Sequence, residues 1–470
     1  MANTALNLLL ITIDCGRQDH IYDKKTETPN IDALREEGIV FTNAFSQAST
    51  TYPSFFSLFL SQYVSTHGFT HQDPNYYKKV DGNFLPVLFG KSGWELAMFS
   101  GFDLLQDVLI RDIGNCVRGS GSIPVLEEML KDESEKPGFL IKKIHPQSSF
   151  LPNKIKAHWN RIINLRSKTA AEKITEKAID WLSNRRDRSF FLWTHFFDSH
   201  EFYAAPRKWI KRYYKKPKTK KSRNAYQEAT ERGFWFPRHF EEYLKNLKDL
   251  DILPASYQAS LSYIDEQIGR LIDYLKISGE YEKTFIILTA DHGENLMENG
   301  MLCGHYKLFD QTTKIPLIIK DPDLGVPVEL SCLAQHIDVM PTVLERFELS
   351  FPENMQGKNL WPCIRDRREV NEFAFAEHDR LCQKTVRSPK WQYLWADPGI
   401  EHPHGIVFES DLLLNRIEPG DAKNYAPDYP LLCKEFRSLI QGLSRMQNES
   451  KEEKALSEKW KQRLMALGYL

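Results

Sequence analysis

The groups with chemical potential in this chain stand at the ends of apolar runs. Leu8-Leu9-Leu10-Ile11-Thr12-Ile13 leads into Asp14, Phe190 to Phe196 (FFLWTHF) leads into Asp198 and His200, and Thr284 to Thr289 (TFIILT) leads into Asp291 and His292. Carboxylates and imidazoles bind cations and exchange protons near neutral pH. At any single run the ordinary reading is an Asp that caps a following helix. Three such runs argue for more, because the carboxyl ends of parallel strands share one edge, where ligands bind. A hydroxyl cluster, Ser49-Thr50-Thr51, precedes Pro53 and the apolar stretch PSFFSLFLS. Proline suits the first helical turn, where its missing N–H has no partner anyway. Thr51 is therefore expected at a helix N-terminus, whose free amides and dipole favour an anion. The plainer alternative is that these hydroxyls only cap the helix.

The elements that must position these groups follow from pattern. The three runs are continuous rather than alternating, as expected of strands covered on both faces. Helical spacing precedes the second run at Ala170 to Leu182 and the third at Tyr257 to Leu275. Helix alternating with buried strand implies a three-layer α/β/α sandwich on a mostly parallel central sheet. From about Phe373 the segments EFAFAEH, WQYLW and IVFESDLLL look strand-like, and a polar helical tail follows from about Asp428. The expected organisation is a catalytic domain over residues 1–370, with an insertion at about 206–254, and a smaller C-terminal α+β subdomain over 371–470.

Composition narrows the partners. The chain has 470 residues, with 62 Lys+Arg against 63 Asp+Glu, so no global field favours nucleic acid or a membrane surface. Hydrophobic residues at 41% exclude a wholly disordered chain. The seven cysteines are odd in number and form no C-x-x-C pair, which argues against a disulfide framework and a zinc ribbon. No window approaches the ~20 apolar residues of a membrane span, and the first apolar run lacks the flanks of a signal peptide. A cytoplasmic protein is expected. The segment 207–223 (RKWIKRYYKKPKTKKSR) carries ten Lys or Arg and no acid. It could hold a polyanion, but a solvated insertion loop is the simpler reading.

The ordered set NLLLITIDCGRQDH, TPNIDALREEGIVFTNAFSQASTTYPSFFSLFLS, FFLWTHFFDSHEFY, ADHGENL and GHYKLFDQTTKIPLII resembles the sulfatase branch of the alkaline phosphatase superfamily. HIDVMPTVL, VRSPKWQYLW and VFESDLLLNRIEPGDAKNYA look like that family's closing strand-helix and C-terminal subdomain. The resemblance implies one divalent metal at the sheet edge with a nucleophile coordinated to it. Its ligands would be Asp14, Thr51, Asp291 and His292. Oxygen donors with one imidazole suit Ca²⁺, Mg²⁺ or Mn²⁺, with Zn²⁺ less favoured. Many relatives place a second acid directly after the first; Cys15 stands there instead and lowers the ligand charge.

The nucleophile decides the reaction class. Family sulfatases convert a Cys or Ser in a C-x-P-S-R type motif to formylglycine. The matching stretch here is Thr51-Tyr52-Pro53-Ser54-Phe55, and threonine cannot be converted. Relatives with threonine in this slot look like phosphodiesterases and phosphoryl-transferring enzymes. The resemblance gives His200 and His305 roles beside the transferred group, and makes Lys307 and Ser54 candidates to contact the anion. His195 reads as structural, and Asp198 as orienting a neighbour. The family's K-W-H stretch corresponds to Gly93 to Phe102, which has neither Lys nor His. The expectation is a metal-dependent hydrolase or transferase of a phosphoester, such as a phosphodiester or phosphonate, through a covalent Thr51 intermediate. The alternatives are a sulfuric ester hydrolase and a binding protein that has lost catalysis. A small-molecule, glycan or lipid-headgroup anionic ester is the expected substrate.

Overall fold

The computed structural model describes residues 6–70, 82–102, 109–110, 113–114, 116, 170–185, 188–215, 223–325, 327–378, 380, 382–397, 406, 408, 410–417 and 423–445. The middle of the basic run (216–222) and the tail beyond 445 lie outside them. Strands β1 (Asn7–Ile13), β2 (Ile39–Phe45), β3 (Glu95–Ser100), β4 (Phe190–Phe196), β5 (Thr284–Ala290), β8 (Lys314–Lys320) and β9 (Val328–Gln335) form one sheet. The order is β3-β4-β1-β5-β8-β2-β9. β8 runs antiparallel to its neighbours β5 and β2, and the other adjacent pairs are parallel. A short hairpin joins β6 (Asn295–Leu296) to β7 (Cys303–Gly304).

The continuous apolar runs supply both faces of the sheet at once. Leu8, Leu10, Phe191, Trp193, Phe285 and Ile287 enter one core, while Leu9, Ile11, Phe190, Leu192, Ile286 and Leu288 enter the other. This is the period-two alternation of a strand covered on both sides. The first core takes the helices Thr51–Leu60 and His336–Arg346. The second takes Ala170–Asn184 and the long helix Ile252–Ile277. Leu253, Tyr257, Leu261, Ile264, Ile268, Leu271 and Leu275 of that long helix are buried at three- and four-residue steps, one continuous apolar stripe.

The C-terminal region forms its own antiparallel sheet, β10 (Ala374–Glu377), β11 (Gln383–Arg387), β12 (Trp391–Ala396) and β13 (Leu412–Asn415). The helix Pro430–Arg445 covers it through Leu432, Phe436 and Ile440, packed with Val386, Trp391 and Tyr393. The architecture is thus the expected α/β sandwich with a smaller α+β subdomain.

Two local expectations change. Cys332 of β9 is disulfide-bonded to Cys363, whereas the scattered cysteine count had argued against a disulfide framework; a single staple needs no pattern. The start of the basic segment is a helix, Arg207–Tyr213, rather than a solvated loop. Its charges are offset locally, Arg212 by Glu27 at 2.8 Å and Lys208 by Glu266 at 3.2 Å, and Tyr213 Oη lies 2.6 Å from Ser262 Oγ on the long helix. Among the described residues no helix is long and apolar enough to cross a membrane.

Candidate active site

β1, β4 and β5 end in step. Ile13 pairs with Phe196 on one side and with Ala290 on the other. The next residues, Asp14 and Asp291, therefore emerge side by side at the sheet edge, and both are fully buried. The loop after β5 passes so close to Gln311 that a Cβ on Gly293 would lie 2.0 Å from the Gln311 carbonyl oxygen. Only glycine fits there, and it lets the chain carry His292 and Glu294 into the same space.

The side chains are oriented by the backbone around them. Asp291 Oδ1 accepts from the amides of His292 at 2.8 Å and Cys15 at 3.2 Å, which leaves Oδ2 buried without a hydrogen-bond partner. His292 Nδ1 lies 2.9 Å from the Gly293 carbonyl. A carbonyl only accepts, so Nδ1 carries the proton and Nε2 presents its lone pair. That Nε2 is 3.4 Å from Asp291 Oδ2 and 3.4 Å from Thr51 Oγ1. Both oxygens of Asp14 also lack hydrogen-bond partners. They stand 4.0 Å from His292 Nε2 and 3.3 Å from His195 Nε2.

These atoms fit a cation. Buried carboxylate oxygens without partners are costly unless something positive meets them. Donors about 2.4 Å from a Ca²⁺ ion and at right angles to one another lie about 3.4 Å apart, matching the 3.4 Å spacings around His292. Titration points the same way. Burial, with the charge of Asp14 alongside, pushes the Asp291 carboxyl well above its ordinary range. Burial acts on Asp14 in the same sense, but the neighbouring imidazoles of His195, His200 and His292 outweigh it and hold Asp14 low. Burial and the neighbouring His305 keep His292 neutral, the form that ligates. A divalent ion would let both carboxylates ionise together.

Thr51 is the first residue of its helix and is 1% exposed. Beside it Ser49 Oγ and Thr50 Oγ1 are buried without hydrogen-bond partners. Ser54 is turned inward: its hydroxyl donates to the Asp291 carbonyl at 2.6 Å and lies 3.2 Å from His336 Nδ1. It supports the backbone of a ligand-bearing turn. Lys307 is buried and its ammonium donates to the Asn299 carbonyl at 3.4 Å. Asp198 accepts from the Ala171 amide at 2.8 Å, at the start of the helix Ala170–Asn184.

His200 and His305 come together, with ring centroids 5.3 Å apart, and the His305 ring lies 4.5 Å from that of His292, tilted by 37°. His305 Nδ1 lies 3.7 Å from Glu294 Oε2 and 3.8 Å from Glu201 Oε2. Burial alone would depress His305, but the nearby carboxylates of Glu294 and Glu201 push it up to about 9. Glu201, Glu294 and the closeness of His195 to Asp14 were missed in the sequence reading. Glu294 was findable, three residues after Asp291 on the same loop. A separate cleft of about 320 Å³, lined by Trp209, Arg212 and Asp265, shares no residue with this cluster.

The sulfatase family model matches residues 7–349. The chain belongs to the sulfatase family, within the alkaline phosphatase superfamily, a group of ester hydrolases. It is 23% identical over 389 residues to the uncharacterized sulfatase YidJ of Escherichia coli, covering 74% of this chain and 69% of that one. Against arylsulfatase K of Bos taurus it is 23% identical, covering 93% and 82%. The fold matches the phosphonate monoester hydrolase of Agrobacterium radiobacter with a TM-score of 0.66 at 19% identity, over 94% of this chain and 96% of that one. Phe55 is the residue that the resemblance sets against the motif's arginine. Its ring packs edge-on against Trp193 and His195, each at 4.9 Å. Position 55 is a core position in this sulfatase-family chain, with no cation to offer the site.

Proposed function

We propose that this chain cleaves or transfers an anionic phosphoester, with Thr51 as nucleophile beside one divalent cation held by Asp14, Asp291, His292 and the Thr51 oxygen. The observation that carries the reading is Thr51 itself, a hydroxyl at a helix N-terminus, 3.4 Å from the lone pair of His292. A bound divalent cation supplies the Lewis-acid charge that lowers the pKa of an adjacent hydroxyl. The donor set suits Ca²⁺, Mg²⁺ or Mn²⁺.

The residues divide the remaining work. The Thr51 hydroxyl, its pKa lowered beside the cation, would release its proton to solvent; its oxygen then forms a bond to phosphorus as the ester P–O bond breaks, and the first-turn amides of its helix face the negative charge that builds. His200 keeps 21% of its side chain exposed, the most open group of the cluster, and is placed to give a proton to the leaving oxygen. His305, held charged by Glu201 and Glu294, puts a positive charge beside the anion; Lys307 stands two residues on. Water, or an acceptor alcohol, then takes the phosphoryl group from Thr51. The same reading keeps residues 371–470 as a supporting subdomain and a glycan or headgroup ester as substrate.

A sulfuric ester is the second reading, and the names of the relatives favour it: both curated relatives described above are called sulfatases. Against it stands Thr51, which cannot become formylglycine. A panel of aryl phosphomonoester, phosphodiester, phosphonate and sulfate, assayed with Ca²⁺, Mg²⁺, Mn²⁺ and Zn²⁺, separates them. The proposal expects the phosphorus esters to be turned over in preference to the sulfate. Preference for the sulfate overturns the phosphoester assignment, and turnover of none with cation bound indicates a binding protein.

A further inference from the structure

We propose that the site selects anionic esters whose leaving group carries a flat aromatic ring, and that Trp235, from the insertion at 206–254, is the residue that sets this preference. The inference rests on the ester-cleaving site as read above and deepens it, by naming the group on the far side of the scissile bond. Two files of rings reach the cluster. The first runs outward from His292. His305 lies 4.5 Å from it, Tyr306 lies 5.7 Å from His305 and nearly parallel at 11°, and Trp235 meets Tyr306 at 5.2 Å and 77°. The second starts at His200, with Phe197 4.7 Å away at 21° and Phe102 5.1 Å beyond Phe197 at 5°. The files meet where the rings of His200 and His305 cross at 61°. Phe102, Phe197, Tyr306 and Trp235 are all half-buried, so part of each ring stays open.

The backbone fixes Trp235 in this place. Its amide donates to the Gly300 carbonyl at 2.9 Å, and its carbonyl accepts from the Leu302 amide at 3.0 Å. That bridge ties the insertion to the turn between β6 and β7, which leads straight to His305. The four outer rings carry no charge, and Phe102 ends the stretch Gly93 to Phe102 that has neither Lys nor His. A leaving group with further anionic substituents would therefore find no cation on these rings. An aromatic ring instead stacks on one file and meets the other edge-on, the two arrangements that aromatic quadrupoles favour. A saturated ring of the same size buries similar area without that match.

The test compares benzyl, cyclohexylmethyl and 2-hydroxyethyl esters of methyl phosphate on the full chain with saturating Mn²⁺, and the matching sulfates as a second set. All three leave as primary alkoxides, so leaving-group chemistry does not mask recognition. The benzyl ester should exceed the cyclohexylmethyl ester in kcat/KM by about threefold to tenfold, through KM rather than kcat. Trp235→Leu keeps apolar bulk but loses the flat face and should abolish the difference, while Trp235→Phe should retain most of it. Equal melting temperatures guard against a folding artefact. Calorimetric binding of benzylphosphonate against cyclohexylmethylphosphonate to Thr51→Ala reads the same preference without turnover. Equal values for the two rings, or a ratio unaltered in Trp235→Leu, overturns the inference and leaves the ester reading standing. A ring preference seen with the sulfates alone overturns the phosphoester assignment and keeps the inference. Neither turnover nor phosphonate binding overturns both.

Discussion

Replacing Asp291 by Asn separates the two things its carboxylate does. Oδ1 accepts the His292 and Cys15 amides at 2.8 and 3.2 Å, and an asparagine carbonyl keeps both bonds. Oδ2 has no partner, and without a cation burial and Asp14 hold the group protonated. Asn is close in shape and charge to that protonated acid, so the cation-free variant should keep its stability to within about 1 kcal/mol. The cation response should disappear. A ligand at about 1,000 times its Kd stabilises the native state by about 4.1 kcal/mol. Unfolding entropy near 2.1 cal/mol/K per residue gives about 1 kcal/mol/K for 470 residues, so the melting temperature should rise by about 4 °C on adding cation to the parent chain. Differential scanning calorimetry, with chelator and with saturating Mn²⁺, reads both numbers. A parent chain indifferent to every divalent cation, or an Asp291→Asn variant that gains the same 4 °C, would refute the reasoning.

Other outcomes follow from the same coordinates. Thiol titration in denaturant should find five free cysteines and rise to seven after reduction, given the Cys332–Cys363 bond. Loss of its 31-residue closure in a Cys363→Ser variant should cost about 4 kcal/mol in a denaturant melt. Seven free thiols without reductant would support the expected cytoplasmic residence, since disulfides persist mainly in oxidising compartments. His336 is buried neutral, pushed down to about 3 from an ordinary 6.5. The unfolded chain therefore gains the proton first, and stability should fall by up to about 1.4 kcal/mol per pH unit as pH drops from 6.5 toward 3. His336→Gln should flatten that limb in pH-dependent urea melts, and an unchanged slope would assign the acid loss elsewhere. Arg387, fully buried, joins the subdomain to the loop after His305 through the Leu308 carbonyl and Asp310, both at 2.8 Å. Arg387→Met should cost about 1–3 kcal/mol by removing charge-assisted hydrogen bonds to the Leu308 carbonyl and to half-buried Asp310, together with a loss of turnover; a variant with parent stability and turnover would remove the subdomain from any positioning role.

Much of this candidate site was legible in the sequence because its proposed cation ligands follow directly from strands. Asp14, Asp291 and His292 are the residues next after β1 and β5, and apolar runs of that kind fix both the strand and the end that carries chemistry. What pattern does not carry is register across distant strands. That Ile13 lies level with Phe196 and Ala290 is settled by packing, and it brings His195, set aside as structural, to within 3.3 Å of Asp14. Glu201 and Glu294 belong to loops, where periodicity is silent and charged residues are usually solvated. Ser54, three residues after Thr51, lies on a neighbouring face of the same helix, and its hydroxyl is taken up by the Asp291 carbonyl at 2.6 Å, a pairing that sequence spacing does not show. The basic segment misled for a related reason: its acidic partners Glu27 and Glu266 are remote in sequence, so the charge excess looked unpaired.

The central claim is that Thr51 itself takes the transferred group. Rapid acid quenching of the metal-loaded chain during turnover of an aryl phosphodiester, followed by peptide mass spectrometry, tests it directly. The account predicts a phosphorylated form of the Thr51 peptide that builds up with substrate and is absent in Thr51→Ala, which should also lose turnover. A Thr51→Ala variant with full activity, or a phosphoryl group on Thr50 or Ser54 instead, would contradict it.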